Sequence, residues 1–224
     1  MPILIIGAGP SGLALAIRLA QRGQTAVVFC EDQQQGLMVG ESLIPATVQH
    51  LRELGVEKEV ATVGYRKIGT QYCSRNNEVI DLSFSAVGGG MPDYAYNVQR
   101  VALNEILRKR AEDLGVRFIN KRAELEVFQT SRGEVSVRLS VRSAAAAGIF
   151  PDSPQPLLVD ATGTKRLISG LLRLPMSRGR RNDIAYFAHF EGFGHDGADR
   201  SNLLVNILNA GWSWRIPLSD TNGT

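Results

Sequence analysis

The sequence predicts an α/β fold, a parallel sheet interleaved with β-rich segments, and three observations predict it. An apolar run, Pro2-Ile3-Leu4-Ile5-Ile6, ends in Gly7-Ala8-Gly9-Pro10-Ser11-Gly12, and these glycines open an Ala- and Leu-rich helix through Ala20. A second apolar run, Val27-Val28-Phe29-Cys30, closes on Glu31. A third, Pro156-Leu157-Leu158-Val159, reads as a buried strand and closes on Asp160-Ala161-Thr162-Gly163.

The first two runs form a strand–helix–strand unit over residues 2–31, with Gly23 stopping the helix. Its turn reads G-x-G-x-x-G. In that setting Gly7 permits the tight turn, Gly9 lets a pyrophosphate approach the backbone, and Gly12 lets the helix pack closely on the strand. The helix start turns free N–H groups and the positive end of its dipole toward the phosphates. Glu31 lies about 20 residues past the last glycine, where an acid holds a ribose hydroxyl pair.

A polar loop with Gln33-Gln34-Gln35-Gly36 leads to Val39-Gly40-Glu41-Ser42-Leu43-Ile44-Pro45 and a helix through Leu54. Val48, Leu51 and Leu54 share one face of it, Gly55 ends it, and His50 reads as a surface or capping residue. Residues 64–96 read as strands, with Thr70–Cys73 and Val79–Phe84 flanking the turn signal Asn76-Asn77. Gly88-Gly89-Gly90 is a flexible loop. A helix runs from Arg100 to Leu114, Gly115 stops it, and Val116–Ile119 begins a strand. Leu125–Phe128 and Val135–Val141 alternate as strands, Ala144–Pro156 reads as a loop, and Ile184–Phe190 and Leu203–Leu208 read as strands. Residues 1–60 and 97–168 therefore build one discontinuous layered α/β domain, and residues 61–96 and 169–224 a β-rich one.

The 224 residues allow one large domain or two small ones, and a net charge of +3 is too mild to point to nucleic acid. Arg178, Arg180 and Arg181 read as a solvated loop. Cys30 and Cys73 make neither a C-x-x-C pair nor a metal-ligand spacing, so free thiols in a reducing, cytoplasmic compartment are expected, with no metal. The apolar N-terminus lacks a basic leader and breaks at Gly7, and no apolar stretch approaches the roughly 18 residues of a membrane helix.

Five segments together resemble the FAD-dependent aromatic monooxygenase superfamily, in its branch of flavin-dependent halogenases and tryptophan-modifying relatives. They are Gly7–Gly12 with Glu31, Gly40-Glu41-Ser42-Leu43-Ile44-Pro45, Tyr96-Asn97-Val98-Gln99-Arg100, Asp160–Gly163, and Gly211-Trp212-Ser213-Trp214-Arg215-Ile216-Pro217. The resemblance implies a Rossmann-like FAD-binding domain with an interleaved β-rich substrate domain, as in p-hydroxybenzoate hydroxylase. It implies FAD as cofactor, bound by Gly7, Gly9, Pro10, Ser11, Gly12, Glu31, Glu41, Ser42, Arg100, Leu125, Asp160 and Gly163. Trp212 and Trp214, two apart on a strand, point to one face with Ile216, and either wall a pocket for a flat aromatic or fill a core.

The same resemblance implies oxygen chemistry through a peroxyflavin. The expected reaction is hydroxylation of an electron-rich aromatic, an indole or a protein tryptophan among the candidates, the substrate being free or protein-bound. The first alternative is halogenation with Lys67 as the catalytic lysine. Against it, the spacing from Tyr65 to Lys67 is one residue short of the pattern, and a tryptophan-rich strand is replaced by Gln71-Tyr72-Cys73-Ser74-Arg75. The second alternative is a flavin-binding or interaction fragment without turnover. No NAD(P)H fingerprint accompanies the FAD one, so O2 and a separate flavin reductase are the expected partners. The family continues into a third FAD element, a Gly-Asp turn that Asp220-Thr221-Asn222-Gly223-Thr224 does not match, so a C-terminally truncated flavoprotein, or one completed by a second chain, is expected.

Overall fold

The computed structural model describes residues 2–31, 38–76, 78–150, 152–177, 179–180, 183–192 and 200–224. Gln33–Gly36, Asn77, Arg178 and Arg181, singled out in the sequence, lie outside the described residues. Along the chain run β1 (Ile3–Ile6), α1 (Pro10–Gln21), β2 (Ala26–Cys30), β3 (Glu41–Ser42), α2 (Pro45–Leu54), α3 (Glu57–Val63), β4 (Tyr65–Lys67), β5 (Gly69–Cys73), β6 (Val79–Ser83) and β7 (Ala95–Val98). There follow α4 (Arg100–Asp113), β8 (Arg117–Asn120), β9 (Leu125–Gln129), β10 (Val135–Leu139), α5 (Val141–Ala146), β11 (Leu157–Asp160), α6 (Leu167–Leu171), β12 (Phe190–Glu191), β13 (Leu203–Leu208), β14 (Gly211–Arg215) and β15 (Asn222–Gly223). They divide into two compact units, Met1–Gln34 with Leu107–Asp183 and Gln35–Ile106 with Ile184–Thr224.

The first unit is built on a parallel sheet in the order β11-β1-β2-β8. Leu4, Ile5 and Ile6 of β1 and all five residues of β2 are buried, which is why both strands read as continuous apolar runs rather than alternating ones. Ile6 lies opposite both Phe29 and Asp160, so Gly7, Glu31 and Ala161 leave the sheet at the same carboxyl end. On one face Gly12, Leu13, Ala16 and Ile17 of α1 are buried. A core cluster joins Leu4, Ile6, Val27 and Phe29 to Ala123, Leu139 and Ala147, with Leu125 and Ile168 packed against it.

Close approach fixes the first turn. Gly7 has φ +112°, and a Cβ there would stand 2.4 Å from the Ala161 carbonyl oxygen. A Cβ on Gly12 would stand 2.1 Å from the Gly7 carbonyl oxygen. Two expectations are corrected in this unit. The segment 141–146 is a helix, not the end of a strand and the start of a loop: Ser140 Oγ accepts the Ser143 N–H at 3.2 Å, and the alanines that follow are strong helix formers. β11 is an edge strand rather than a buried one, with Leu157 61% exposed.

The second unit holds two sheets, β3-β7-β4 and β14-β13-β5-β6, and a short β12-β15 pair. β7 is central, its four residues are buried, and Asn97 faces Ser42 on one side and Tyr65 on the other. Val48, Leu51 and Leu54 of α2 are buried as their spacing predicts, and His50 is exposed. Helix α3 was not legible in the sequence: it spans seven residues and buries only Val60, too little to set a period, although Glu57 and Glu59 suit its N-terminal turn. The strand expected over Ile184–Phe190 is reduced to Phe190–Glu191. Apolar residues such as Ile184 and Tyr186 stand exposed, and the segment before Phe190 pairs with no strand among the described residues.

The Gly7 and Gly12 contacts are with backbone, which cannot swing aside. Gly7→Ala and Gly12→Ala are therefore expected to lower stability by about 2–4 kcal/mol each, as backbone strain and overpacking do. Urea unfolding checks this; variants indistinguishable from the parent would remove the close approach from the folding argument.

Candidate functional site

In the first unit, α1 starts with Pro10 after Gly9, and no side chain caps it. A Cβ on Gly9 would meet nothing within 4 Å among the described residues, so the backbone is open to them at that point. Beside it lies a cleft of about 350 Å³ lined by Ser11, Asp160, Ala161, Gly163, Arg166 and Ser169. The Asp160 carboxylate is used inside the protein. Its Oδ1 accepts from the Thr162 hydroxyl (2.6 Å) and N–H (3.1 Å), and its Oδ2 from the Ile168 N–H (2.8 Å). Burial pushes its pKa up, but these hydrogen bonds outweigh burial and hold it below the ordinary carboxylate value. Asp160 thus shapes the turn rather than offering a free charge.

Arg166 is the residue sequence reading missed. It lines the same cleft with φ +44°, a left-handed conformation uncommon for a non-glycine residue. The available signal was a permanent cation three residues after Gly163. Glu31 is exposed at the end of β2, while Leu125 packs on the core and does not line the cleft. An open glycine backbone, an uncapped helix start and a cation fit the diphosphate of a dinucleotide.

In the second unit one buried polar chain joins three of the five motif segments to Lys67. Asn97, 0% exposed, donates through Nδ2 to the carbonyl oxygens of Ser201 (2.8 Å) and Pro217 (2.9 Å). Its Oδ1 accepts from the Ser42 hydroxyl at 2.8 Å, and Ser42 Oγ accepts from Lys67 Nζ at 2.5 Å. Lys67 is 1% exposed, with Nζ 5.5 Å from the centre of the Phe84 ring. Burial pulls its pKa down to about 8. Glu41 forms an ion pair with Arg100 at the start of α4, and Arg100 Nε is buried without a hydrogen bond among the described residues.

Trp212 and Trp214 do share a face of β14, their rings 5.1 Å apart. Register places Trp214 beside Val205, Tyr72 and Ile80, and Trp212 beside Ile207. Trp212, Ile207, Ile80 and Leu82 are about half exposed, so this face is apolar and open rather than a filled core. Among the described residues no cluster of metal-ligating side chains occurs, and no helix is long and apolar enough to cross a membrane.

Family models for an FAD binding domain and for tryptophan halogenase match residues 1–148 and 88–224. The chain belongs to the tryptophan halogenase family. Its cofactor is FAD. It is 26% identical over 98% of its length to a 1H-pyrrole-2-carbonyl-(peptidyl-carrier protein) chlorinase of Pseudomonas fluorescens, covering 53% of that protein. It is 27% identical, again over 98% of its length, to the flavin-dependent halogenase armH4 of Armillaria mellea, covering 43% of it. The fold matches the flavin-dependent halogenase CmlS with a TM-score of 0.73 at 20% identity, over 99% of this chain and 40% of that one. The chain spans about half the length of the curated relatives it matches.

The depressed Lys67 pKa has a sign that can be checked. An unfolded lysine stays protonated up to its ordinary value of 10.5, whereas the folded one releases its proton near 8. Between these limits the unfolded state binds more protons, so stability contributed at this site rises with pH from about 8 to 10.5. Denaturation of the parent and of Lys67→Met across that window should show the parent gaining relative to the variant. A constant difference would mean that Lys67 titrates normally in the fold.

Proposed function

We propose that the protein is a flavin-dependent halogenase acting on an electron-rich aromatic ring, with Lys67 as its catalytic lysine. The observation that carries this reading is the burial of Lys67 with its Nζ held by Ser42. A lysine on the surface would be solvated. The named activities of the relatives, chlorinase and halogenase, agree, and together they favour halogenation over the hydroxylation expected from the sequence.

The nucleotide part is assigned to the first unit. Gly7 and Gly12 bring α1 against the sheet, and the open backbone at Gly9 with the N–H groups after Pro10 faces the diphosphate. Glu31 takes the ribose, and Gly163 and Arg166 form the opposite side. The family resemblance also implies Glu41, Ser42 and Arg100 as cofactor residues, and the Glu41–Arg100 pair fixes the guanidinium. When bound and reduced, FAD supplies the electrons with which dioxygen oxidises halide to hypohalous acid.

Lys67 then acts on that acid. Its ammonium donates a hydrogen bond to the oxygen of HOX, which makes the halogen more electrophilic. The ring attacks the halogen, the O–X bond breaks, the carbon–halogen bond forms, and the ring proton leaves with the oxygen as water. A pKa near 8 keeps most of the lysine protonated at neutral pH yet close to the working range of a general acid. Trp212, Trp214 and Tyr72 offer flat surfaces on which an aromatic stacks, whether free or carried on a protein. O2 and a separate flavin reductase complete the set of partners.

Product mass after turnover with reduced FAD, O2, candidate indoles, phenols and carrier-bound pyrroles, with and without chloride or bromide, tests the reading. Lys67→Met should cut halogenated product by roughly 10²–10⁴-fold while flavin reoxidation continues. A hydroxylated product formed equally without halide, and unaffected by Lys67→Met, would replace halogenation by hydroxylation. Gly9→Ala checks the cofactor assignment separately. Space on the protein side is free, so its unfolding midpoint should match the parent, while FAD affinity falls at least about tenfold. Unchanged FAD affinity would move the diphosphate away from this turn.

A further inference from the structure

Asn97 lies in none of the roles assigned above, yet it is the most constrained polar side chain of the second unit. It is completely buried in the central strand β7, between β3 and β4. Its partners dictate which way the amide faces. Two backbone carbonyl oxygens, those of Ser201 and Pro217, can only accept, so both must meet the NH₂ group. The carbonyl oxygen Oδ1 is thereby turned to Ser42. An amide oxygen can only accept, so the Ser42 hydroxyl must spend its one proton on Asn97. That leaves Ser42 with lone pairs alone to present to Lys67, and Lys67 Nζ donates into them.

We propose that Asn97 is the positioning residue for Lys67, acting through Ser42. The direction of every hydrogen bond in the chain is set by the two fixed backbone carbonyls at its far end. Without Asn97 the Ser42 hydroxyl can rotate and turn its proton toward the lysine, which replaces an attraction by a clash of donors. Because Pro217 closes the Gly211–Pro217 segment and Ser42 lies in β3, the same amide ties the lysine to the strand that carries Trp212 and Trp214. The proposal rests on the reading of Lys67 as the halogenating lysine only for its consequence on product, not for its geometry.

The test uses full-length, FAD-loaded protein and two readouts. The first is acetylation of Lys67 by an N-hydroxysuccinimide ester, followed by peptide mass spectrometry. Lys58, Lys109, Lys121 and Lys165, all exposed, serve as internal references. Asn97→Ala and Ser42→Ala should each raise the Lys67 rate at least about tenfold relative to those references, because the lysine loses its tether and samples open states. Ser42→Thr, which keeps a hydroxyl, should restore slow labelling; a general loosening of the fold would not be reversed in this way. The second readout is the fraction of flavin turnovers that give halogenated product, expected to fall by about 10²-fold in Asn97→Ala, the cost of misplacing a reacting group by about 1 Å. If Asn97→Ala does not fold, Ser42→Ala and Ser42→Thr carry the comparison. Unchanged Lys67 labelling in a folded Asn97→Ala or Ser42→Ala protein overturns the proposal. Faster labelling with product unchanged upholds the positioning and instead removes Lys67 from the chemistry.

Discussion

The second unit depends on one amide finding two backbone carbonyls. A buried carbonyl oxygen left without a donor costs on the order of 1–3 kcal/mol, so the oxygens of Ser201 and Pro217 need Asn97 as much as Asn97 needs them. These carbonyls lie far from β7 in sequence, at the entry to β13 and just past β14. The amide therefore pins the open end of the β13–β14 pair to the centre of another sheet. Only because that frame is rigid can the hydroxyl of Ser42 present a fixed acceptor, and only then can a lysine be kept out of water at 1% exposure.

Burying that lysine opposes stability. Among the described residues no carboxylate is hydrogen-bonded to Lys67, which meets the Ser42 hydroxyl and an aromatic face. The charged form is underpaid for its lost hydration, which is the cause of its depressed pKa. A residue whose only task was to fold the unit would be better replaced by methionine. The first unit carries a comparable tension in geometric form. Gly7 and Gly12 sacrifice side chains and backbone entropy so that the helix, the sheet and the Asp160–Gly163 turn meet at one edge.

Much of this was legible in the sequence, for reasons that differ by segment. The parallel strands, α1 and α2 could be read because one surface decides each pattern: burial on both faces for β1 and β2, a single apolar stripe for α2. Segments whose structure comes from local capping or from absent partners could not. The Val141–Ala146 helix depends on a Ser140 hydroxyl bond that looks like loop chemistry, and the apolar residues Ile184–Phe187 mimic a strand but pair with none among the described residues. At the candidate site, Gly9 and Glu31 could be marked from their spacing, and Gly163 from the family resemblance. Arg166 could not, since its place beside the cleft follows from a left-handed turn that no residue type announces.

Lys67 illustrates the deeper limit. In the sequence it stands next to Arg66 in a polar-looking stretch, and charge patterning argues for solvent. What reverses that inference is strand alternation in β4: Arg66 points out while Lys67 points in, two positions before Gly69, whose Cβ would collide with the Leu82 carbonyl oxygen at 2.5 Å. β5 and β6 approach closely at Gly69, and the inward side chain of Lys67 extends to Ser42. The burial of Lys67 is thus a property of its strand neighbours, and it has meaning only once they are in place.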